Sequence, residues 1–110
     1  MADARSLYKD GFAHFVKGEV DEAITLYRSA LEADDTLAIA WNALSMALAR
    51  RNELDAAIEA ARRLIELEPD DPLSHTNLSR LLQQNGMIPE AEAASGVAMQ
   101  LQMKQPRQGS

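Results

Sequence analysis

The feature that most constrains the fold of this chain is an internal repeat of 34 residues. Shifted by that distance, the sequence aligns with itself over segments of about 4–37, 38–71 and 72–105, without insertion or deletion. Four columns of similar residues carry the match. They are Ala23, Ala57 and Ala91; Gly18, Asn52 and Gly86; Val20, Leu54 and Ile88; and Ala30, Leu64 and Ala98. A period of this length, seen three times, predicts three stacked units in one domain.

Each unit contains two helix-forming stretches. Gly18, Asn52 and Gly86 follow the first stretch of each unit, and Gly and Asn tolerate the left-handed backbone conformation found just beyond a helix end. In the Asp-Asp-Pro run at 70–72, one Asp is placed to cap a helix and the proline to occupy its first turn. The sequence therefore predicts an all-α fold. The expected helices are about 5–17, 20–33, 37–50, 54–67, 72–84 and 88–103, with a disordered tail at 106–110.

These columns resemble the tetratricopeptide repeat, whose pattern runs Trp, Leu-Gly, Tyr, then Ala, an aromatic residue, Ala and Pro. The middle unit matches best. Its matching residues are Trp41, Leu44, Ser45, Leu48, Ala57, Ala61, Leu64 and Pro69. The resemblance covers nearly the whole chain. It implies one domain over residues 1–105, an α-solenoid of three antiparallel helix-turn-helix repeats in a right-handed superhelix, with the first helix of each pair lining a concave groove.

The outer units depart from the family pattern. His14 and Asp10 occupy positions at which the family has Tyr and Leu, and His75 occupies the Trp position. Asp35 and Met103 replace the final Pro. These departures weaken the first and third repeats without breaking the period.

Members of the family bind peptides or other proteins, so the resemblance implies a protein-interaction scaffold and not an enzyme. The groove positions follow from helical spacing on the first helix of each pair. They are Arg5, Tyr8, Lys9, Phe12, Phe15, Ile39, Asn42, Met46, Arg50, Leu73, Asn77 and Arg80. We expect the apolar side chains to anchor a bound peptide segment and Arg50 and Arg80 to orient it. The alternative is that some of the apolar side chains pack against neighbouring helices.

Charge is divided unequally between the helices. The chain has a net charge of −6, yet residues 4–17, 36–51 and 72–85 contain six basic residues and one acid, whereas the remainder contains 16 acids and five bases. This distribution predicts a positive groove that attracts an acidic peptide or a C-terminal carboxylate. The alternative is that Lys17, Arg50 and Arg51 merely complement helix dipoles. The overall acidity argues against a nucleic-acid partner.

The resemblance also allows one specific ligand to be tested. Family members that bind chaperone tails use a clamp of Lys and Asn on the first helix, Asn on the third, and Lys and Arg on the fifth. The corresponding positions here are Tyr8, Phe12, Ala43, Leu73 and Asn77. The clamp is absent, so recognition of chaperone tails in that manner is not expected.

The third repeat suggests a second hypothesis. Residues 91–103 contain a single charge, Glu92, although the last helix of a solenoid normally has a polar outer face. We therefore expect that some apolar residues of this repeat are not covered by another helix. The candidates are Leu82, Val97, Met99, Leu101 and Met103. Homo-oligomeric association through this repeat is the alternative function.

Nothing in the sequence indicates a cofactor, a metal or a catalytic site. The chain has no cysteine, and His14 and His75 lie two repeats apart on packing columns. The acidic run at 66–71 lacks the alternating Asp spacing and central Gly of a calcium loop. No apolar run approaches the length of a membrane span or signal peptide. A soluble cytoplasmic protein is the expectation.

Overall fold

The computed structural model describes residues 3–104, which form six α-helices and no β-strand. The helices are α1 (Ala4–Val16), α2 (Val20–Ala33), α3 (Ala38–Arg50), α4 (Leu54–Leu67), α5 (Pro72–Gln84) and α6 (Ile88–Lys104). Every bound lies within one residue of the predicted one, and the fold class is confirmed. The predicted tail lies outside the described residues. None of the six helices is long and apolar enough to cross a membrane.

The turn within each hairpin depends on one left-handed residue. Gly18, Asn52 and Gly86 have φ angles of 83°, 62° and 79°, as the repeat column predicts. The amide of the next residue then reaches back into the first helix. In the first hairpin, the Glu19 N–H donates to the His14 carbonyl at 2.9 Å, and the equivalent bond recurs in the other two hairpins. This turn closes the first helix and sends the chain back along it.

The helix starts use the predicted capping chemistry. Asp71 is the residue that caps α5, because its side chain accepts a hydrogen bond from the Leu73 N–H at 3.0 Å, with Pro72 in the first turn. Asp3 caps α1 in the same way, accepting from the Ser6 N–H at 2.8 Å. Both caps fix where a groove-lining helix begins.

Within each hairpin, small residues let the two antiparallel helices approach closely. Ala23 and Ala57 are fully buried and Ala91 nearly so. In the first hairpin, the ring of Tyr27 lies close against Gly11. The helices α2 and α4 then pack on α3 and α5 of the following hairpins, which extends one core through the stack.

A repeated polar contact joins the turn of one hairpin to the preceding hairpin. Arg51 Nη1 lies 3.1 Å from Asp21 Oδ1, and 34 residues later Asn85 Nδ2 donates to Asp55 Oδ1 at 2.9 Å. Both contacts are exposed and contribute little free energy. Their value is geometric, because the same contact at both junctions fixes the same relative position of neighbouring hairpins. Pro89 occupies the acidic position in the third hairpin.

The outer face of the first hairpin is polar at positions where the second and third hairpins are apolar. Leu44 and Leu78 are buried, but Asp10 is exposed in the same column. His14 is half-buried, and its Nδ1 pairs with Glu19 Oε1 at 2.8 Å. The departures from the family pattern in this hairpin therefore lie on a face that no other described hairpin covers.

The outer face of the third hairpin is polar in the same manner. Ile24 and Ile58 are buried, whereas Glu92 is exposed in their column. Ser95 is likewise exposed where Ala61 is buried. Because the following hairpin covers this face in the first two repeats, the change in polarity matches the change in cover.

The apolar residues expected to lack cover in the third repeat fall into two groups. Leu82 is 1% exposed and belongs to the core, so it is not one of the residues that lack cover. Val97, Met99 and Met103 on α6 are exposed, Met103 by 80%, and Leu101 is half-buried.

The Gly11 contact gives a test of the packing. A Cβ at residue 11 would lie 2.7 Å from Tyr27 Cε1 and 3.2 Å from the Ala23 carbonyl oxygen. We expect Gly11→Ala to lower the free energy of unfolding by about 1–3 kcal/mol through overpacking, despite the better helix propensity of alanine. Chemical denaturation followed by circular dichroism measures the change.

The matched control is Gly96→Ala in α6, where an added Cβ meets nothing within 4 Å. It should raise the free energy of unfolding by about 0.5–1 kcal/mol, because alanine restricts the unfolded chain and favours the helix. Equal effects of the two substitutions would contradict the close contact between α1 and α2.

Candidate functional site

The groove between α3 and α5 contains a cavity of about 380 Å³. Each helix contributes four residues at the spacing i, i+3, i+4 and i+7, which places them on one face. They are Asn42, Ser45, Met46 and Ala49 from α3, and Asn77, Arg80, Leu81 and Gln84 from α5. Phe15 from α1 and Arg50 complete the lining. All three first helices of the hairpins thus build one concave site.

The cavity combines an apolar surface with two cations. Met46 is 53% exposed, although it lies beside an apolar core. The Arg50 guanidinium lies over the Phe15 ring, 5.4 Å from its centroid, a cation–π contact that holds the charge at the cavity rim. Arg80 lines the same cavity, and no acidic side chain does so among the described residues. The cavity thus places positive charge beside an apolar surface.

Two asparagines lie in the middle of the groove. Asn77 Nδ2 donates to Asn42 Oδ1 across 3.4 Å, which is a long bond between α5 and α3. Each amide carries two donor hydrogens and an acceptor oxygen. The pair lines both cavities of the groove.

A second cavity of about 260 Å³ lies toward the beginning of α3 and α5. It shares Asn42 and Asn77 with the first cavity, and its apolar lining includes Ile39 and Leu73. Both of these side chains are exposed. This end of the groove also contains acidic residues, Glu68 and Asp71.

The groove is therefore not positive along its whole length. Arg50 and Arg80 belong to the first helices of their hairpins and lie at one end of the groove. Glu68 follows α4, and Asp71 precedes α5, so the turn between hairpins brings carboxylates to the other end. The prediction of a basic groove applies to the cavity beside Arg50 and Arg80.

The predicted groove residues Tyr8 and Phe12 of the first hairpin belong to a packing cluster. Tyr8 stacks on the buried Tyr27 with ring centroids 5.8 Å apart, and on Phe12 at 6.3 Å. Phe12 remains 50% exposed. Tyr8 and Phe12 line neither cavity, nor do the exposed side chains of Arg5 and Lys9.

The structure thus brings eight of the twelve predicted groove residues to the two cavities. They are Phe15, Ile39, Asn42, Met46, Arg50, Leu73, Asn77 and Arg80. The larger cavity is also lined by residues outside those twelve: Ser45, Ala49, Leu81 and Gln84. They follow from helical spacing counted from Asn42 and Asn77.

The two histidines make local contacts in separate hairpins. His14 pairs with Glu19, and His75 Nε2 lies 2.8 Å from the Pro69 carbonyl oxygen. Within residues 3–104, no three His, Asp or Glu residues are grouped so that they could hold a metal ion.

Two family models, both described as tetratricopeptide repeat, match the sequence. One covers residues 11–72 and the other residues 60–93. Together they extend through all three units of the internal period.

Among curated proteins, the peroxisomal targeting signal receptor of Saccharomyces cerevisiae is 30% identical over 81 residues, which make up 74% of this chain and 13% of that protein. The crystal structure of MamA superposes with a TM-score of 0.89 at 24% identity, over 93% of this chain and 60% of that one. The second TPR of Spaghetti (RPAP3), bound to an HSP90 peptide, gives 0.83 at 20% identity, over 90% and 92%. The chain therefore spans only part of the first two proteins.

Tyr27 gives a pH test of the aromatic cluster. Burial, with a smaller effect of Tyr8, raises the pKa of Tyr27 from 10.0 to about 12. The folded state therefore holds the Tyr27 hydroxyl proton more tightly than the unfolded state does. The contribution of Tyr27 to the free energy of unfolding is complete below pH 10 and is lost as the pH rises toward 12. Thermal melts at about pH 9 and about pH 11 should show a larger loss of Tm in the native protein than in Tyr27→Phe. An equal loss in both would contradict the prediction.

Proposed function

Because the chain belongs to the tetratricopeptide repeat family, we propose that it is a protein-interaction module that binds a peptide segment of a partner in the groove formed by α1, α3 and α5. No covalent chemistry is involved. The bound segment lies extended along the groove, where the amides of Asn42 and Asn77 contact its backbone.

The observation that carries this proposal is the cavity beside Arg50 and Arg80. Two guanidinium groups and the exposed Met46 line it. Like charges at one cavity repel each other, and an anionic ligand relieves that repulsion while forming charge-assisted hydrogen bonds. The preferred ligand therefore has an apolar side chain next to an acidic side chain or a C-terminal carboxylate.

The charges at the other end of the groove give the peptide a direction. Glu68 and Asp71 line the smaller cavity with Ile39 and Leu73. An acidic group near these carboxylates would be repelled, so the acidic part of the ligand lies toward Arg50 and an apolar, neutral or basic part lies toward Leu73.

The comparisons support this class of ligand. The Spaghetti (RPAP3) repeat domain is bound to the peptide SRMEEVD, which contains acidic residues, and the yeast relative is a receptor for a targeting signal. In this chain, Tyr8 and Phe12 occupy two clamp positions and form part of the aromatic cluster. Its ligand is therefore held by the cavity between α3 and α5 rather than at those positions.

The second candidate is a homo-oligomeric scaffold that associates through the third repeat. The exposed Met99 and Met103 on α6 favour it. Glu92 and Ser95 oppose it, because they place polar groups on the face that a stacked repeat would cover. The groove remains the better supported site.

Three further expectations from the sequence stay predictions: the protein is not an enzyme, it does not bind nucleic acid, and it is located in the cytoplasm.

The groove proposal can be tested with two short probe peptides. We expect acetyl-Glu-Leu-Glu-Leu-Glu-amide to shift the NMR signals of Met46, Asn77 and Arg80, and the peptide with Lys in place of Glu to bind at least about tenfold more weakly. The double substitution Arg50→Glu and Arg80→Glu should abolish binding of the acidic peptide, because it reverses the charge of the cavity.

The matched control is Arg62→Glu with Arg63→Glu on α4. It changes the net charge by the same amount, but neither residue lines the groove cavities. If both double variants lose binding of the acidic peptide equally, then binding depends only on the net charge of the protein, and the proposed site is wrong.

Oligomeric state is tested by sedimentation equilibrium. We expect a species of 12.1 kDa, since the polar groups of Glu92 and Ser95 oppose stacking. A dimer that is dissociated by Met99→Glu together with Met103→Glu would instead support the second candidate.

A further inference from the structure

A third cavity lies on a different face of α5 from the groove. It has a volume of about 470 Å³ and opens between α4 and α6. Leu78 and Leu82 of α5 contribute to it, whereas Asn77 and Leu81, one residue earlier in each case, belong to the groove. Successive residues on a helix are about 100° apart, so two different faces of α5 line the two cavities. We call this surface the α4/α6 seam. Its apolar lining is Ile65, Leu78, Leu82, Ala93, Ala94 and Val97.

The preceding repeat shows what fills the equivalent position. Trp41 lies 34 residues before His75, and its Nε1 donates to the Asp35 carbonyl at 2.8 Å. His75 Nε2 makes the equivalent contact with the Pro69 carbonyl, also at 2.8 Å. Since a carbonyl can only accept, this nitrogen of His75 is the donor. The imidazole thus retains the anchoring bond of the indole but not its volume.

Two positions on α6 differ from α4 in the same direction. Ala93 stands where α4 has Glu59, and Val97 stands where α4 has Arg63. Long charged side chains cover apolar surface with their stems and keep their charges in water. Because α6 lacks these long side chains, the apolar surface of the cavity stays exposed to solvent, and Val97 is 39% exposed. With His75, these changes give the seam smaller and more apolar lining side chains than the equivalent positions of the preceding repeat.

The charged groups at the seam are mostly acidic. Glu66 from α4 and Glu90 from α6 line it on opposite sides, with Arg62 as the single cation. Glu66 also accepts from Arg63 at 3.2 Å, an exposed contact of little strength. The seam therefore favours a cationic neighbour, in contrast to the groove cavity with Arg50.

We infer that the α4/α6 seam is a second docking site, which accepts an aromatic side chain of a partner protein flanked by Lys or Arg. The ring occupies the space that Trp41 fills in the preceding repeat, and an aromatic side chain can bury about 150–250 Å² in such a pocket. The flanking cation pairs with Glu66 and Glu90. This site does not depend on the groove, because different faces of α5 form the two.

The probe is the peptide acetyl-Lys-Trp-Lys-amide, followed by two-dimensional NMR of the uniformly labelled full chain. Saturable shifts are expected for His75, Ala94 and Val97. Replacing the Trp of the peptide with Ala should remove them, and replacing both Lys with Glu should weaken binding at least about threefold, as expected for a complementary rim charge.

Two protein variants fill or cover the seam from within. His75→Trp restores the residue type of the preceding repeat and should weaken binding of the Lys-Trp-Lys peptide at least about tenfold. The double variant Ala93→Glu with Val97→Arg restores the α4 pattern at two exposed positions and should do the same. Both should melt at or above the temperature of the native chain, which shows that lost binding is not lost folding. Arg50→Glu with Arg80→Glu should leave binding of this peptide intact.

Several outcomes would overturn the inference. Unchanged binding to His75→Trp, or shifts confined to the groove around Met46 and Arg80, would place the peptide elsewhere. Seam signals that move with protein concentration alone would show that a second copy covers the seam. Seam signals that move when residues 105–110 are deleted would show that this chain's own tail does so. None of these results bears on binding of the acidic peptide in the groove.

Discussion

The first two hairpins of this protein each have an apolar face that their own two helices cannot cover, and burial of that face by the next hairpin determines the rest of the structure. The buried Ile24 and Ile58 lie on this face in the first two repeats. Stacking in one direction brings α3 and α5 side by side, which places Asn42 and Asn77 within 3.4 Å of each other. The groove is therefore a consequence of how the core is buried, and its lining can vary without loss of the fold.

The same constraint explains why polar residues are found at both ends of the stack. A column must be apolar only where a neighbouring hairpin covers it, so Asp10 and Glu92 occur on the two outer faces of the described repeats. An ionised carboxylate at either position inside the stack would be costly to bury. His75 has a different explanation, because it lines a cavity that opens between α4 and α6. It keeps the hydrogen bond that Trp41 makes to the backbone, but its smaller ring does not fill the volume of an indole.

The sequence alone predicted the helices because their signals are local: a left-handed residue at Gly18, Asn52 and Gly86, and a cap at Asp71. Eight of the twelve predicted groove residues also line the two cavities, since residues on one helix face follow from spacing. The acidic end of the groove was missed because Glu68 and Asp71 reach it from a turn whose direction depends on packing. The seam was missed for a related reason. The sequence shows that His75 replaces a Trp, but only the packing of α4 and α6 shows that a cavity opens beside it. The burial of Leu82 likewise depends on contacts between helices.

The two proposed sites have opposite charge requirements and share α5. In these proposals, Arg50 and Arg80 would select an anionic ligand in the groove, while Glu66 and Glu90 would select a cationic one at the seam. Charge would then keep the ligands of the two sites apart. Because different faces of α5 line the two sites, a ligand in one site would leave the other open. The module would then hold two different partner segments at once without a change in the helical stack.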